Sequence, residues 1–215
     1  MAALSVLAVA TACGSPSATG SVADSAPSTA PPPPTTTAPA SAPGGIPEPA
    51  PVDEWTPTTD GDTGVSFALP GVTNRQTRPG VDGVSAATTL YGAEVTDELN
   101  MSVSFTSAPG AEYSAAGLQD VAAQLVAQLQ AAGSEDAEAL DRTATTVGGH
   151  PVLDFRMSFT SRDGRRSIWF VRFVGNGSSA VQLQSIAFVD PATEAAATGV
   201  VGRYHQQLIG TLTMS

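Results

Sequence analysis

The chain has 215 residues, one cysteine, nine basic and twenty acidic residues, and a formal net charge of -11. Every basic residue is an arginine. So negative a chain, without lysine, is a poor binder of phosphate backbones, which argues against a nucleic-acid partner. One cysteine excludes an internal disulfide and a cysteine-built structural zinc site. No apolar run reaches the ~18 residues of a membrane-spanning helix.

In chain order, Ala2 to Ala12 reads AALSVLAVATA, eleven uncharged and mostly small or apolar residues. That length suits the apolar core of a secretion signal and is too short for a span. Cys13-Gly14-Ser15 follows. Small residues before a lone cysteine and a polar tail after it resemble the bacterial lipoprotein signal. The resemblance implies cleavage before Cys13 and acylation of its sulfur, with two or three chains giving stable anchoring at about 0.8 kcal/mol per buried methylene.

Eleven of the seventeen prolines lie at or before Pro51, and the stretch from Gly14 to Thr63 has six acidic and no basic residues. Its Pro, Ala, Ser, Thr and Gly composition offers too little apolar surface to offset conformational entropy, so a disordered spacer is expected. Proline favours extended polyproline II, with a reach on the order of 100 Å. Thr35, Thr36 and Thr37 are candidate O-glycosylation sites. Residues 1–12 are read as a signal, 13–63 as the spacer, and 64–215 as one domain, large enough to fold without disulfide or metal.

Within that domain, Val65 to Leu69 alternates and Pro70-Gly71 ends it, a strand and a turn. A second or third strand is expected between Val84 and Val95, through Thr88, Thr89, Leu90 and Tyr91. Leu99, Met101, Val103 and Phe105 sit at every second position with polar residues between them, the pattern of a half-buried strand. Ser114 is an expected N-cap for a helix carrying Leu118, Val121, Ala122, Leu125, Val126 and Leu129 at helical spacing, and Gly133 is its stop. Strands follow over Ala139–Val147, His150–Thr160, Arg166–Val174 and Ala180–Val189, linked by Gly148-Gly149, Asp163-Gly164 and Gly175-Asn176-Gly177 turns. The Arg166–Val174 strand is apolar on both faces and is expected to be central. Asp190-Pro191 opens a last helix that turns Val200, Val201, Tyr204, Leu208 and Leu212 inward. The fold class is α+β: a mainly antiparallel sheet flanked by an internal and a C-terminal helix, after a disordered Pro-rich tail.

Several of these features together resemble the LpqN/LpqT-type lipoproteins of mycobacteria: the cysteine, the spacer, the opening strand Gly64 to Pro70, the amphipathic helix, the Gly148-Gly149-His150-Pro151 turn and the closing Leu208 to Leu212. The resemblance implies a PsbP-like fold, a lipid-anchored place at the outer face of the cell membrane, and protein-binding roles without an assigned activity. The Ala, Gly, Pro and Arg excess without lysine fits a GC-rich, actinobacterial genome.

No nucleophile elbow, P-loop, dinucleotide fingerprint or zinc-protease motif occurs, and no metal or cofactor is expected. His150 and His205 have no partner at a definite spacing and are read as turn and surface residues. Glu135-Asp136 and Asp97-Glu98 are read as solvated loop charges. Arg162, Arg165 and Arg166 form the basic cluster of a hairpin tip, with Arg156 and Arg172 on the same two strands; this is a candidate surface for an acidic partner or an anionic headgroup. Trp169 and Phe173 share a face that either lines an apolar groove or packs under a helix. The expected function is a non-catalytic binding or interaction domain on a lipid anchor; the alternative is a carrier of an envelope lipid or other apolar ligand, which needs a cavity of several hundred Å3. A hydrolase would need a serine or carboxylate within hydrogen-bond reach of one imidazole.

Overall fold

The computed structural model describes residues 45–78, 87–107, 112–134, 136–161 and 163–214. The acylation candidate Cys13, the threonines 35–37, Arg162 and Glu135 lie outside the described residues.

Among the described residues, nine strands and two α-helices follow one another: β1 (Thr56–Thr59), β2 (Ser66–Leu69), β3 (Asn74–Arg78), β4 (Ala87–Glu94), β5 (Leu99–Ser107), α1 (Ala115–Ala131), β6 (Glu138–Val147), β7 (His150–Thr160), β8 (Arg166–Asn176), β9 (Ser179–Val189) and α2 (Glu194–Thr211). The expected α+β architecture is present. β3 to β9 form one antiparallel sheet in the order β3-β4-β5-β9-β8-β7-β6, and β1 pairs with β2 as a separate hairpin. β1 and β3 were not foreseen: Thr-Pro-Thr-Thr and Asn-Arg-Gln-Thr-Arg have no apolar alternation, because both strands are almost wholly exposed.

Side-chain alternation sorts the core into two clusters, one on each face of the sheet. Ile168 and Val174 of β8 join Leu183 and Ala187 of β9, Met101 and Val103 of β5, Phe67 and Leu69 of β2, and Val200, Tyr204 and Leu208 of α2. Trp169, Val171 and Phe173 of β8 join Leu153, Phe155 and Met157 of β7 and Leu118, Val121 and Leu125 of α1. β8 is thus covered on both sides, as its two apolar faces require.

Local chemistry fixes the element ends. The Ser114 hydroxyl accepts from the Gly117 amide at 3.3 Å, the N-cap bond that satisfies one orphan donor. The Asp190 carboxylate accepts from Ala192 at 2.8 Å and opens the turn leading into α2. Gly148 and Gly149 both have positive φ, 58° and 86°, as a two-residue hairpin turn twisting with its strands demands.

The folded body starts earlier than the expected boundary at residue 64. Ile46 is 1% exposed and Trp55 is 4% exposed, both inside the α2-side cluster. Trp55 stacks on Tyr204 of α2 at 6.3 Å, and Glu48 takes Arg203 of α2 in a two-pronged ion pair, Nε to Oε2 at 2.8 Å. Residues 45–55 therefore form a strap across α2. Proline enrichment masked it, because two large apolar side chains are enough to dock a segment that is otherwise spacer-like.

Candidate functional site

The two histidines are the first residues to test for chemistry. His205 is 3% exposed, so the expectation of a surface residue fails. Its place on α2 turns it inward beside Tyr204, where Nδ1 lies 3.2 Å from the Ser185 hydroxyl of β9. Its ring packs against Phe170 of β8 at 5.9 Å. Burial depresses the imidazole pKa to about 4; Asp154 pulls it up and Arg172 pushes it further down. The serine that a hydrolase would need is therefore present. Ser185 and His205 are nonetheless both buried, at 0% and 3% exposure, so the pair sits in the core and not in an open cleft. His150 lies at the start of β7, where Nδ1 is 3.2 Å from the Gly175 carbonyl. It closes the turn onto β8.

Among the described residues, the hairpin tip between β7 and β8 presents no unpaired arginine. Arg166 donates to Asp136 at 2.7 Å and to Glu194 at 3.1 Å, and it also reaches the Ser158 and Thr160 hydroxyls. Asp136, read from sequence as a solvated charge, further accepts from the Thr160 amide at 2.8 Å. That amide, the Thr160 hydroxyl and Arg166 hold its pKa below the usual carboxylate range. Arg165 pairs with Asp163 at 2.7 Å and lies over the Phe188 ring. The Ser161 hydroxyl and Arg165 bring the Asp163 pKa down to about 2. Arg172 is bidentate on Asp154, both bonds 2.7 Å, and Arg156 meets Asp141 at 3.1 Å. An acidic partner at Arg165 or Arg166 would have to displace carboxylates already in place.

Trp169 and Phe173 do not line a groove. Both are buried beneath α1. The Trp169 indole N–H donates to the buried Ser167 hydroxyl at 2.7 Å, and its ring meets Phe159 edge-on at 5.5 Å. Phe173 stacks on Phe155 at 5.8 Å.

One polar knot was missed from sequence. Asp60, buried in the β1–β2 turn, accepts from Tyr91 at 3.0 Å and from the Thr63 amide at 2.9 Å, while Arg75 donates to the Tyr91 hydroxyl at 3.1 Å. The knot joins the β1–β2 turn to Tyr91 of β4 and Arg75 of β3, so no local pattern announces the whole of it. Beside it a cleft of about 120 Å3 is bounded by Asp60, Asp62, Val65, Phe105, Ala180 and Val181. Sites for drug-sized ligands occupy roughly 300–1,000 Å3, so this cleft suits a few waters and not an acyl chain. Among the described residues no group of three or more His, Cys, Asp or Glu side chains could hold a metal ion, and no helix is long and apolar enough to cross a membrane.

No family model matches the chain, and no curated protein matches it. Among solved structures, the cyanobacterial PsbP protein CyanoP from Synechocystis is 14% identical, with a TM-score of 0.51 over 75% of this chain and 93% of that one. A protein of unknown function from Pseudomonas aeruginosa, PA94, is 13% identical with a TM-score of 0.34 over 68% of this chain and 92% of that one. A protein from Bacteroides thetaiotaomicron is also 13% identical, with a TM-score of 0.37 over 70% of this chain and 45% of that one. The likeness to CyanoP is one of architecture: the chain has a PsbP-like fold.

Proposed function

We propose that the chain is an extracytoplasmic lipoprotein of the LpqN/LpqT type, in which acylated Cys13 holds a non-catalytic interaction domain at the outer face of the cell membrane. The observation that carries this reading is the junction itself: eleven uncharged residues, a sole cysteine, then a proline-rich segment leading to the folded body. In support, both imidazoles are committed to internal contacts. The interior under Trp169 and Phe173 is filled by α1, which favours an interaction module over a lipid carrier.

The test is metabolic labelling with radioactive palmitate in an actinobacterial host. Label is expected on the full chain and absent from Cys13→Ala, which should also leave the membrane fraction. Unlabelled chain that still sediments with membranes would refute the anchor.

A further inference from the structure

β6 is an outer strand of the large sheet and pairs only with β7 among the described residues. From Asp141 to Val147 every residue of it is exposed, with Val147 at 56%. Exposed edges normally carry a charge, a proline or a bulge that prevents pairing. Here the bulge lies between Leu140 and Thr143, with Asp141 at φ 52°, and leaves the next stretch regular. That stretch, Thr143-Ala144-Thr145-Thr146-Val147, is uncharged, proline-free and rich in β-branched residues. The opposite edge, β3, is protected by Arg75 and Arg78.

We propose that β6 is a docking edge for a second copy of this chain, joining two sheets through an antiparallel β6–β6 pair centred on Thr145. The register follows from the turn. Val147 and His150 flank the two-residue Gly148-Gly149 loop and so exchange hydrogen bonds with each other. Alternation then turns the backbone groups of Thr145 toward β7, and those of Ala144 and Thr146 outward. A two-fold through Thr145 sets the outward groups of Ala144 against those of Thr146 in the other copy, closing four backbone hydrogen bonds. It stacks Thr145 on Thr145 and Thr143 on Val147, favourable cross-strand pairs. Asp141 and Arg142 then fall opposite the two glycines of the turn and meet no like charge. Because the pair is isologous, it closes as a dimer and does not propagate.

Where the remaining chain leaves the body fits this occupant. A two-fold perpendicular to the sheet keeps both α2 helices on one side. Each strap lies along its own α2 through Ile46, Glu48 and Trp55. Ile46, next to the first described residue, therefore lies on the same side of the sheet in both copies, which suits attachment of both to one bilayer. Only this orientation argument rests on the anchored reading; the pairing does not.

The experiment uses the full chain carrying Cys13→Ala, so that introduced cysteines are the only ones. Thr145→Cys is expected to form a disulfide-linked dimer on mild oxidation, while Thr77→Cys on β3 stays monomeric. Sedimentation equilibrium of the Cys13→Ala chain should reach twice the monomer mass at high concentration, and Thr145→Glu, which opposes two carboxylates, should weaken the association roughly fivefold. A single-chain mass at millimolar concentration, or equal cross-linking from Thr77→Cys, overturns the proposal. So does a monomeric chain that takes up a foreign extended peptide at β6. Palmitate labelling is unaffected by any of these results, so failure of the dimer and failure of the anchor are separately visible.

Discussion

Replacing His205 by Gln gives the sharpest test of how the core is built. The folded imidazole has its pKa depressed from 6.5 to about 4, chiefly by burial. In the unfolded chain the same group titrates near its ordinary value. Above the unfolded pKa both states are neutral and the residue contributes no pH dependence. As pH falls through that value the unfolded state binds a proton that the folded state refuses, so stability drops until the folded pKa is reached. Each pH unit in this window costs up to about 1.4 kcal/mol, and the full crossing costs about 3 kcal/mol. Asp163 and Asp136 have depressed pKa values; their contribution is complete above the ordinary carboxylate pKa and is lost below it, so it falls mostly outside this window. The assay is urea unfolding at pH 7 and pH 4.5 for both proteins. The native chain should lose about 2–3 kcal/mol more than the Gln variant over that interval. Equal losses would mean that His205 titrates normally, and that its burial and its Ser185 contact are wrong.

Two further substitutions probe packing and the hairpin tip. A Cβ on Gly175 would sit 2.0 Å from the Tyr113 carbonyl oxygen and 2.9 Å from Pro151, so Gly175→Ala should cost about 3 kcal/mol and lower Tm by roughly 6–12 °C by scanning calorimetry. Gly210→Ala, where a Cβ meets nothing within 4 Å, should leave Tm unchanged or slightly higher. Arg166→Met removes ion pairs to Asp136 and Glu194; because its partners are partly exposed, the expected loss is only about 1–2 kcal/mol, smaller in 1 M salt. A salt-independent loss would point to packing in place of charge.

What sequence revealed was whatever repeats locally. The alternation of Leu99 to Phe105 and the spacing of Leu118 to Leu129 declared a strand and a helix because burial imposes period 2 or 3.6 on apolar residues. The two-faced β8 declared its central place for the same reason. The exposed strands β1 and β3 left no such trace. Long-range polar pairs were equally silent: Asp60 meets Tyr91 and Ser185 meets His205 only because the sheet brings distant segments together. The strap was hidden by its neighbours, since Ile46 and Trp55 act as single anchors without periodicity.

The large sheet divides the interior into two compartments, with β8 as the shared wall. A change confined to the α1 chamber, such as at Phe155, and one confined to the α2 chamber, such as at Leu208, touch no common side chain across that wall. Their energetic effects should therefore sum, and either helix-side lining is free to drift in sequence while the other stays fixed.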